Sequence, residues 1–423
     1  MRKSAKGNEC VRRHILMKAY NGNEMRNRET KMRARRATFP HPLSPTPYPL
    51  LILAALLLPL TGLSQQQDIR READGWVRIY TGTLPRASRL RINGHGPVTL
   101  DAGGRNFTYS IRVSVAARSE AEARRLLERL PMHISTQGEW VVLTAPGGPA
   151  LAAVTVKAPR LASATIATSD GAVEASGIDG TLDADTRAGE IAVDRIRGQC
   201  TLVTGGGAVR VGEVDGPLHC TSGAGRITVK TVRGPAVLYT YGGDILADQV
   251  GGDSRIETVG GSIHIRAAAG PVTATSGGGE IVVDKADGTV TARNMAGPVQ
   301  VGAAAGAHCE NGSGGIRLSR IAGPMRVSTS MGSILADLAG GRLADSFLAT
   351  GSGDITVLIP SNVGVTIRAE NAMADTLRRI VSDYPVLSAR RVADRIVAQG
   401  AINGGGPVLQ ISDARGTIFI KKQ

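Results

Sequence analysis

The sequence predicts an all-β protein, a parallel β-solenoid of 18-residue coils with two strands each, with an α+β N-terminal cap and a C-terminal cap. Three observations support this fold class. Glycine recurs every nine residues from Gly171 to Gly306, alternate glycines lie in different sequence contexts, and apolar residues alternate with polar ones between them. A fixed short period is typical of a stack of similar units that bury their apolar faces against one another.

The two halves of each coil have different sequences. One half reads Gly-x-Ile/Val-x-apolar, as at residues 225–229, and the other begins Gly-Pro or Gly-Thr before Val or Leu, as at residues 216–218. Period-2 alternation and β-branched residues favour strands, so each half is expected to be a short strand with one buried face. The glycine at each strand entry is expected to supply a positive φ or a tight bend. The structural repeat glycines of the first half are Gly171, Gly189, Gly207, Gly225, Gly243, Gly261, Gly279 and Gly297.

Reading every eighteenth residue separates inward from outward positions. Aliphatic columns follow the repeat glycines and are expected to face the core. Beside them, a column of hydroxyl residues at a turn is expected to hydrogen bond along the stack. Its members are Thr186, Thr204, Ser222, Thr240, Thr258 and Ser276.

A surface charge ladder lies on the outward side. Lys230, Asp248, Arg266 and Asp284 follow one another at 18-residue spacing, so successive coils would place opposite charges side by side. Each exposed pair contributes only roughly a few tenths of a kcal/mol, but a slip of one coil would juxtapose like charges. We interpret the ladder as control of register, with ligand binding as the alternative.

The formal net charge of +14 is unevenly distributed along the 423 residues. Residues 1–64 contain 12 Lys and Arg against three Glu, a net charge of +9, so only +5 remains for residues 65–423. A polyanion partner would need basic residues spread over the folded part, so we expect no nucleic-acid partner.

Residues 1–64 are interpreted as a basic head and a secretory signal. Arginines precede an apolar run at residues 50–58, and Gly62 and Ser64 fit a cleavage site. The run is shorter than the about 20 residues that span a bilayer, so membrane contact is expected only through an uncleaved N-terminal segment, if at all. We expect an exported protein of the periplasm, cell envelope or extracellular space. The start codon, with Met32 as an alternative, and the cleavage stay open.

Three cysteines fall at inward positions of the repeats. Cys200 and Cys220 lie on adjacent coils but two residues out of register, which places their Cα atoms about 8 Å apart, beyond disulfide reach. We expect these two and Cys309 to be buried free thiols.

The caps differ from the repeats in composition and pattern. In the N-terminal cap, Ser119 is expected to cap a helix that carries Glu122 at its third position. In the C-terminal cap, residues 372–380 and 389–398 are expected to be helical. The predicted segments are 1–64, head and signal; 65–75, linker; 76–150, N-terminal cap with one helix; 151–342, β-solenoid repeats; and 343–423, C-terminal cap.

The repeats together with the tail resemble a known family. The tail carries Gly-Asp-Ile at residues 353–355, Ser-Asp-Tyr-Pro at 382–385 and three glycines at 404–406. With the lead-in strands and the Gly-x-Ile-x-Val coils, they resemble the bacterial putative-adhesin β-strand-repeat family, a domain family of unknown function, over about residues 76–423. The resemblance implies an envelope-associated β-solenoid and brings no catalytic residues; the long basic head and residues 371–399 depart from it.

No catalytic, cofactor-binding or metal-binding residues are predicted. Calcium-binding β-rolls need a column of Asp after paired glycines, which these repeats lack. A glycan-cleaving enzyme needs clustered acids on one face, whereas the charge ladder sets a base beside each acid. His219, His264 and His308 are scattered rather than gathered as ligands. The glycine-rich turns precede no helix, so they are not phosphate loops.

Three functions stay open after this reasoning. The first is a non-catalytic secreted or cell-envelope β-solenoid, an adhesin-like binding or scaffold protein whose partner is an unknown glycan or envelope protein. The alternative is a self-assembling structural rod, because uncapped solenoid ends can stack. A polysaccharide-acting enzyme comes third. Ligand identity, handedness of the solenoid and oligomeric state stay open.

The repeat unit can be tested by deletion. Removing residues 244–261 takes out one whole coil and leaves the remaining coils in register, so we expect a folded, secreted protein. Removing residues 244–252 takes out half a coil and should prevent folding, because every later strand would then meet the wrong neighbour. Circular dichroism and urea unfolding of both deletions check this, and equal stability of the two would contradict the 18-residue unit.

Overall fold

A computed structural model describes residues 65, 66, 69–73, 75–148, 150–338 and 343–423. The predicted signal at residues 1–64 lies outside these residues. In the described part of the chain, 37 strands and one α-helix are present, and the fold is a parallel β-solenoid as the sequence predicts.

Eleven consecutive coils form the body of the solenoid, each with one strand in each of two sheets. Even-numbered strands form sheet B and odd-numbered strands form sheet A. Their bounds are β10 Ser163–Thr168, β11 Val173–Ile178, β12 Thr181–Thr186, β13 Ile191–Ile196, β14 Cys200–Thr204, β15 Val209–Val214, β16 Leu218–Ser222, β17 Ile227–Val232, β18 Ala236–Thr240, β19 Ile245–Val250, β20 Ser254–Thr258, β21 Ile263–Ala268, β22 Val272–Ser276, β23 Ile281–Ala286, β24 Thr289–Ala296, β25 Val299–Val301, β26 Gly306–Ser313, β27 Ile316–Ile321, β28 Met325–Met331, β29 Ile334–Leu338, β30 Ser346–Thr350 and β31 Ile355–Ile359.

The register between neighbouring coils is 18 residues over most of the stack. Ile227 pairs with Ile245, and Leu238 pairs with Ile256, in parallel ladders. Two coils depart from it: Thr289 pairs with Gly306, 17 residues on, and Arg326 pairs with Phe347, 21 residues on. These are the one-residue deletion and the three-residue delay visible in the glycine spacing.

The core is a set of aliphatic stripes between the two sheets. Inward residues such as Ile227, Val229 and Leu238 are fully buried, and one continuous apolar cluster runs through the coils and both caps. Because each strand alternates between buried and exposed positions, every coil leaves outward columns free to vary.

The hydroxyl column forms a buried ladder of hydrogen bonds between coils. Thr240 Oγ1 donates to the carbonyl oxygen of Gly225 in the preceding coil at 3.0 Å, and accepts from the N–H of Gly243 at 3.3 Å. Each hydroxyl thus joins two coils and closes the turn of its own coil. The same two bonds occur at Thr186, Thr204, Ser222, Thr258 and Ser276.

Two asparagines continue this ladder where the coil length changes. Asn294 Nδ2 donates to the carbonyl oxygens of Gly279 at 2.8 Å and Gly297 at 3.1 Å, and Asn311 makes the equivalent pair of bonds. The glycines here have a positive φ, 100° at Gly297. The Oδ1 atoms of both asparagines are buried without a hydrogen-bond partner among the described residues.

The repeat glycines are required because neighbouring coils touch at these positions. A Cβ built on Gly243 would lie 2.2 Å from the carbonyl oxygen of Gly225, and one on Gly225 would lie 2.0 Å from that of Gly207. No real Cβ approaches a backbone atom so closely. The expected positive φ is wrong for the repeat glycines from Gly171 to Gly279, and applies only from Gly297 onward. The carbonyls that crowd these glycines are the ones that accept from the hydroxyl ladder.

The N-terminal cap holds nine strands and one helix. The helix begins after Ser119, whose hydroxyl accepts from the N–H of Glu122 at 3.3 Å, as its sequence predicts. The elements are β1 Gln65–Gln66, β2 Arg70–Glu72, β3 Gly75–Thr83, β4 Arg89–Gly94, β5 Val98–Ala102, β6 Thr108–Val115, α1 Glu120–Glu128, β7 His133–Gln137, β8 Trp140–Thr144 and β9 Leu151–Ala158.

This cap adds two coils to the stack out of chain order. Strand β4 pairs in parallel with both β8 and β10, and β5 with both β9 and β11. The coil of residues 89–102 is therefore inserted between the coil of residues 140–158 and the first consecutive coil. Antiparallel strands β7 on sheet B and β6, β3 and β2 on sheet A cover the end.

The C-terminal cap uses the same insertion. Strand β36 pairs in parallel with both β30 and β32, and β37 with both β31 and β33, so the last coil of the chain is the second-last coil of the stack. The antiparallel β35 and β34 cover β32. The bounds are β32 Val365–Asn371, β33 Ile380–Ser382, β34 Arg390–Val392, β35 Arg395–Ile402, β36 Val408–Asp413 and β37 Ile418–Lys422.

The two helices expected in this cap are wrong. Residues 372–380 contain only a 3-10 turn, Leu377–Arg379, and residues 389–398 fall largely in β34 and β35. Ile396 and Ala398 are buried on one side of β35, which is the period-2 pattern of a strand. The free edge of β32 supplies hydrogen-bond partners for this segment, which decides between helix and strand.

The contact between coils can be tested at two adjacent glycines. Gly243→Ala brings a Cβ against the backbone of the preceding coil, so we expect a loss of about 3 kcal/mol in the free energy of unfolding. Gly242→Ala is the control, because a Cβ there meets nothing within 4 Å. Urea unfolding of both variants measures the difference. Equal destabilisation would show that lost backbone flexibility, not the contact between coils, is the reason for glycine.

Candidate functional site

The predicted charge ladder lies in one outward column of sheet A. Arg266 Nη2 lies 3.3 Å from Asp248 Oδ1, while Asp284 Oδ2 contacts His264 Nε2 at 3.1 Å instead of a ladder residue. Lys230 has no ion-pair partner among the described residues. The column therefore holds one direct ion pair between its own members, and its exposed side chains contribute little to stability.

Further ion pairs between neighbouring coils escaped the sequence analysis. Arg226 pairs with Asp244 at 3.0 Å, and the N–H of Ser262 donates to the same carboxylate at 3.0 Å. The Ser262 bond, followed by Arg226, lowers the pKa of Asp244. Opposite charges at 17- or 18-residue spacing were the available signal. Other such pairs are Arg187 with Asp170, Arg197 with Asp179, Arg233 with Asp215 and Arg293 with Glu310.

The cysteines and histidines form no cluster. Cys200, Cys220 and Cys309 are buried free thiols, and burial raises the pKa of Cys200 and of Cys309 to about 12. Within the described ranges, no group of three or more His, Cys, Asp or Glu side chains is placed to hold a metal ion. No helix in the same ranges is long and apolar enough to cross a membrane.

Asp413 occupies a ladder position in the inserted C-terminal coil. It pairs in register with Thr350 on one side and Asn371 on the other, and is 1% exposed. Its Oδ1 accepts from the N–H groups of Arg415 and Gly416, while its buried Oδ2 has no partner in the described chain. Burial is the main cause that raises the pKa of this carboxyl.

The charged groups around Asp413 act in opposite directions. Asp354 raises its pKa, and Arg379 lowers it. The guanidinium of Arg379 is held on the carbonyl oxygen of Arg415 at 3.0 Å and on the carboxylate of Asp375. Every other described member of the column donates a hydrogen bond at this place, so the protonated acid is the form that matches the ladder.

An open groove of about 560 Å³ lies on the outward face of sheet B. Four outward residues cross it on neighbouring strands and define the Arg-Phe-Gln-Arg row: Arg326 on β28, Phe347 on β30, Gln410 on β36 and Arg368 on β32. The row exists because β36 is inserted between β30 and β32. The sequence analysis missed it, since its members come from repeats and tail.

The rim of the groove carries groups that already have partners. Asp345 Oδ1 accepts from the N–H of Val408 at 2.8 Å. His308 Nε2 contacts Glu310 Oε1 at 3.0 Å, and Glu310 also pairs with Arg293. These two bonds, with His308 first, lower the pKa of Glu310.

The described residues thus define a capped parallel β-solenoid with one polar groove on an otherwise ion-paired surface. No family model matches this chain, and no curated protein matches it. Among solved structures, the chain is similar to a putative adhesin from Bacteroides fragilis, at 13% identity and a TM-score of 0.29, over 56% of this chain and 96% of that chain.

Two further solved structures have similar descriptions. A putative adhesin from Parabacteroides merdae is 11% identical with a TM-score of 0.30, over 66% of this chain and 95% of that one. A putative cell adhesion protein from Clostridium sporogenes is 10% identical with a TM-score of 0.19, over 82% and 100%. These descriptions agree with the family that the repeats resemble. The β-solenoid itself rests on the strand register of this chain.

The stability of the protein should depend on the protonation of Asp413. Its folded-state pKa is raised, so its contribution is fully present below the unfolded pKa of about 3.9 and is lost as the pH rises through the folded value. Asp413→Asn cannot lose a proton and places an amide donor in the ladder, as Asn371 does with Gly416. We expect this variant to be more stable than the wild type at neutral pH, by about 1 kcal/mol, with the difference shrinking in acid.

Urea unfolding at several pH values measures this difference. Asp253→Asn, at an exposed position, is the control for loss of one negative charge. A difference between Asp413→Asn and wild type that does not change with pH would show that Asp413 is ionised in both states.

Proposed function

We propose that this chain is a non-catalytic, exported β-solenoid of the cell envelope or extracellular space that binds a partner, a glycan or an envelope protein, on sheet B. The observation that carries the proposal is the groove, where Arg326 and Arg368 flank the half-buried ring of Phe347. Most other outward charges in the described coils neutralise one another across neighbouring strands. A polar groove with unpaired charge and an aromatic ring is the arrangement of a binding surface.

The acids support binding rather than catalysis. A general acid must reach the substrate and hold its proton near neutral pH. Asp413 has a raised pKa but is buried in the ladder, whereas Asp248, Asp284 and Glu310 each contact a cationic or imidazole side chain at the surface. Export is supported by the apolar run and cleavage pattern in residues 1–64.

The self-assembling rod is less well supported, because both ends of the described stack are covered. Strand β34 forms one end of sheet B, is three residues long, and exposes Arg390 and Arg391. Strand β7 forms the other end and is mostly exposed and polar. Short, charged edge strands oppose the pairing of one solenoid end with another.

A glycan array combined with a pull-down from cell-envelope extract tests the proposal. We expect a specific ligand whose binding falls in Phe347→Ala, because the ring lies in the groove. Phe419→Ala is the matched control, since that ring is also half-buried but faces outward from sheet A. Absence of any specific ligand in both assays, or an equal loss in the two variants, would contradict a binding site on sheet B.

A further inference from the structure

The Arg-Phe-Gln-Arg row has a defined length and order. Its four residues lie on adjacent parallel strands, in register from Arg326 to Phe347, from Phe347 to Gln410, and from Gln410 to Arg368. Adjacent strands are about 4.8 Å apart, so the two arginines stand about 14 Å apart at their backbones. A single small anion cannot contact both arginines with the ring and the amide between them, whereas an extended chain molecule can.

The two arginines have no countercharge in the protein. Among the residues that the structure describes, no carboxylate pairs with Arg326 or Arg368, and both are exposed. At the opposite end of sheet B, by contrast, Arg89 and Arg91 stack on Trp140. An unpaired guanidinium offers a planar set of donors that matches a carboxylate in two-point hydrogen bonds.

The acids near the groove do not satisfy these arginines. Asp345 accepts from the backbone of β36, and Glu310 is shared by Arg293 and His308. Glu370, two residues after Arg368, pairs with Arg395 on β35 instead. The row therefore keeps an excess positive charge at both of its ends, and its occupant must carry negative charge at corresponding intervals.

The centre of the row has a different chemistry. Phe347 presents a half-buried ring, and Gln410 beside it presents an amide that both donates and accepts hydrogen bonds. An aromatic face packs against the apolar C–H face of a sugar ring, while an amide bonds its hydroxyl groups. A ring next to an amide, with cations at both ends, thus fits a chain of sugars that carry acid groups.

We propose that the Arg-Phe-Gln-Arg row binds a linear acidic polysaccharide, with Arg326 and Arg368 on the carboxylates of separate sugar units and Phe347 and Gln410 on the sugar between them. This inference rests on the proposed function and names the ligand class for the same groove. A protein ligand is the competing occupant that the experiment separates.

The test uses the full chain and oligogalacturonates, with the same oligosaccharides fully methyl-esterified as a neutral ligand of equal backbone. The double variant Arg326→Gln/Arg368→Gln removes both charges of the row. Arg317→Gln/Arg320→Gln is the matched control, because it removes the same charge from exposed positions of sheet A. Circular dichroism and urea midpoints confirm that both variants are folded, and biolayer interferometry measures binding.

We expect the wild type to bind oligogalacturonate, with affinity that falls as salt rises. Affinity should fall about tenfold in Arg326→Gln/Arg368→Gln, as for the loss of two exposed charge pairs, and stay unchanged in the control variant. The methyl-esterified oligosaccharides should bind weakly to all three proteins.

Three results would overturn the inference: no binding of oligogalacturonate by the wild type, equal binding by Arg326→Gln/Arg368→Gln, or equal binding of the methyl ester. If one of these occurs while the array or pull-down still yields a ligand that depends on Phe347, the proposed function stands with a neutral glycan or a protein as partner. If no ligand depends on Phe347, the proposed function fails as well.

Discussion

The fold depends on one contact between coils, at the turn where a glycine of one coil lies against a glycine carbonyl of the preceding coil. Because that carbonyl occupies the space of a side chain at Gly243 or Gly225, only glycine is accepted there. The same carbonyls accept hydrogen bonds from the buried hydroxyls, so Thr240 and its equivalents need the close approach that glycine allows. Close packing and satisfaction of buried polar groups are thus provided by two residues three positions apart.

This contact explains why the rest of the coil is free to vary. Once the turn sets the stacking distance and register, the inward columns need only aliphatic residues of suitable size. The outward columns carry no such requirement. Ion pairs between coils, as between Arg226 and Asp244, then accumulate at small individual benefit. A change in coil length is absorbed in the loops, as at Gly306 and Phe347, without loss of the ladder.

The two ends of the stack share a topology that protects them and also builds the groove. At each end, one coil is inserted between two others, and antiparallel strands cover the last parallel pair. Insertion of β36 brings Gln410 between Phe347 and Arg368, residues that are far apart in the chain. The proposed binding row is therefore a product of how the C-terminal end is closed. The same insertion places Asp413 in the ladder, where hydroxyl or amide donors otherwise lie.

The sequence by itself determined the parallel two-strand coil, the inward columns, the hydroxyl column and the free buried cysteines, because each of these repeats at a fixed spacing and depends on the neighbouring coil alone. It also located the helix after Ser119, whose cap is a local interaction. Only the tertiary structure decided that the glycines serve close approach, that Ile396 and Ala398 lie in a strand, and that the coils of residues 89–102 and 408–422 are inserted out of order. These outcomes depend on which strand edge is free to pair, a non-local property that spacing within one segment does not encode. The Arg-Phe-Gln-Arg row belongs to this second group, since no single repeat contains it.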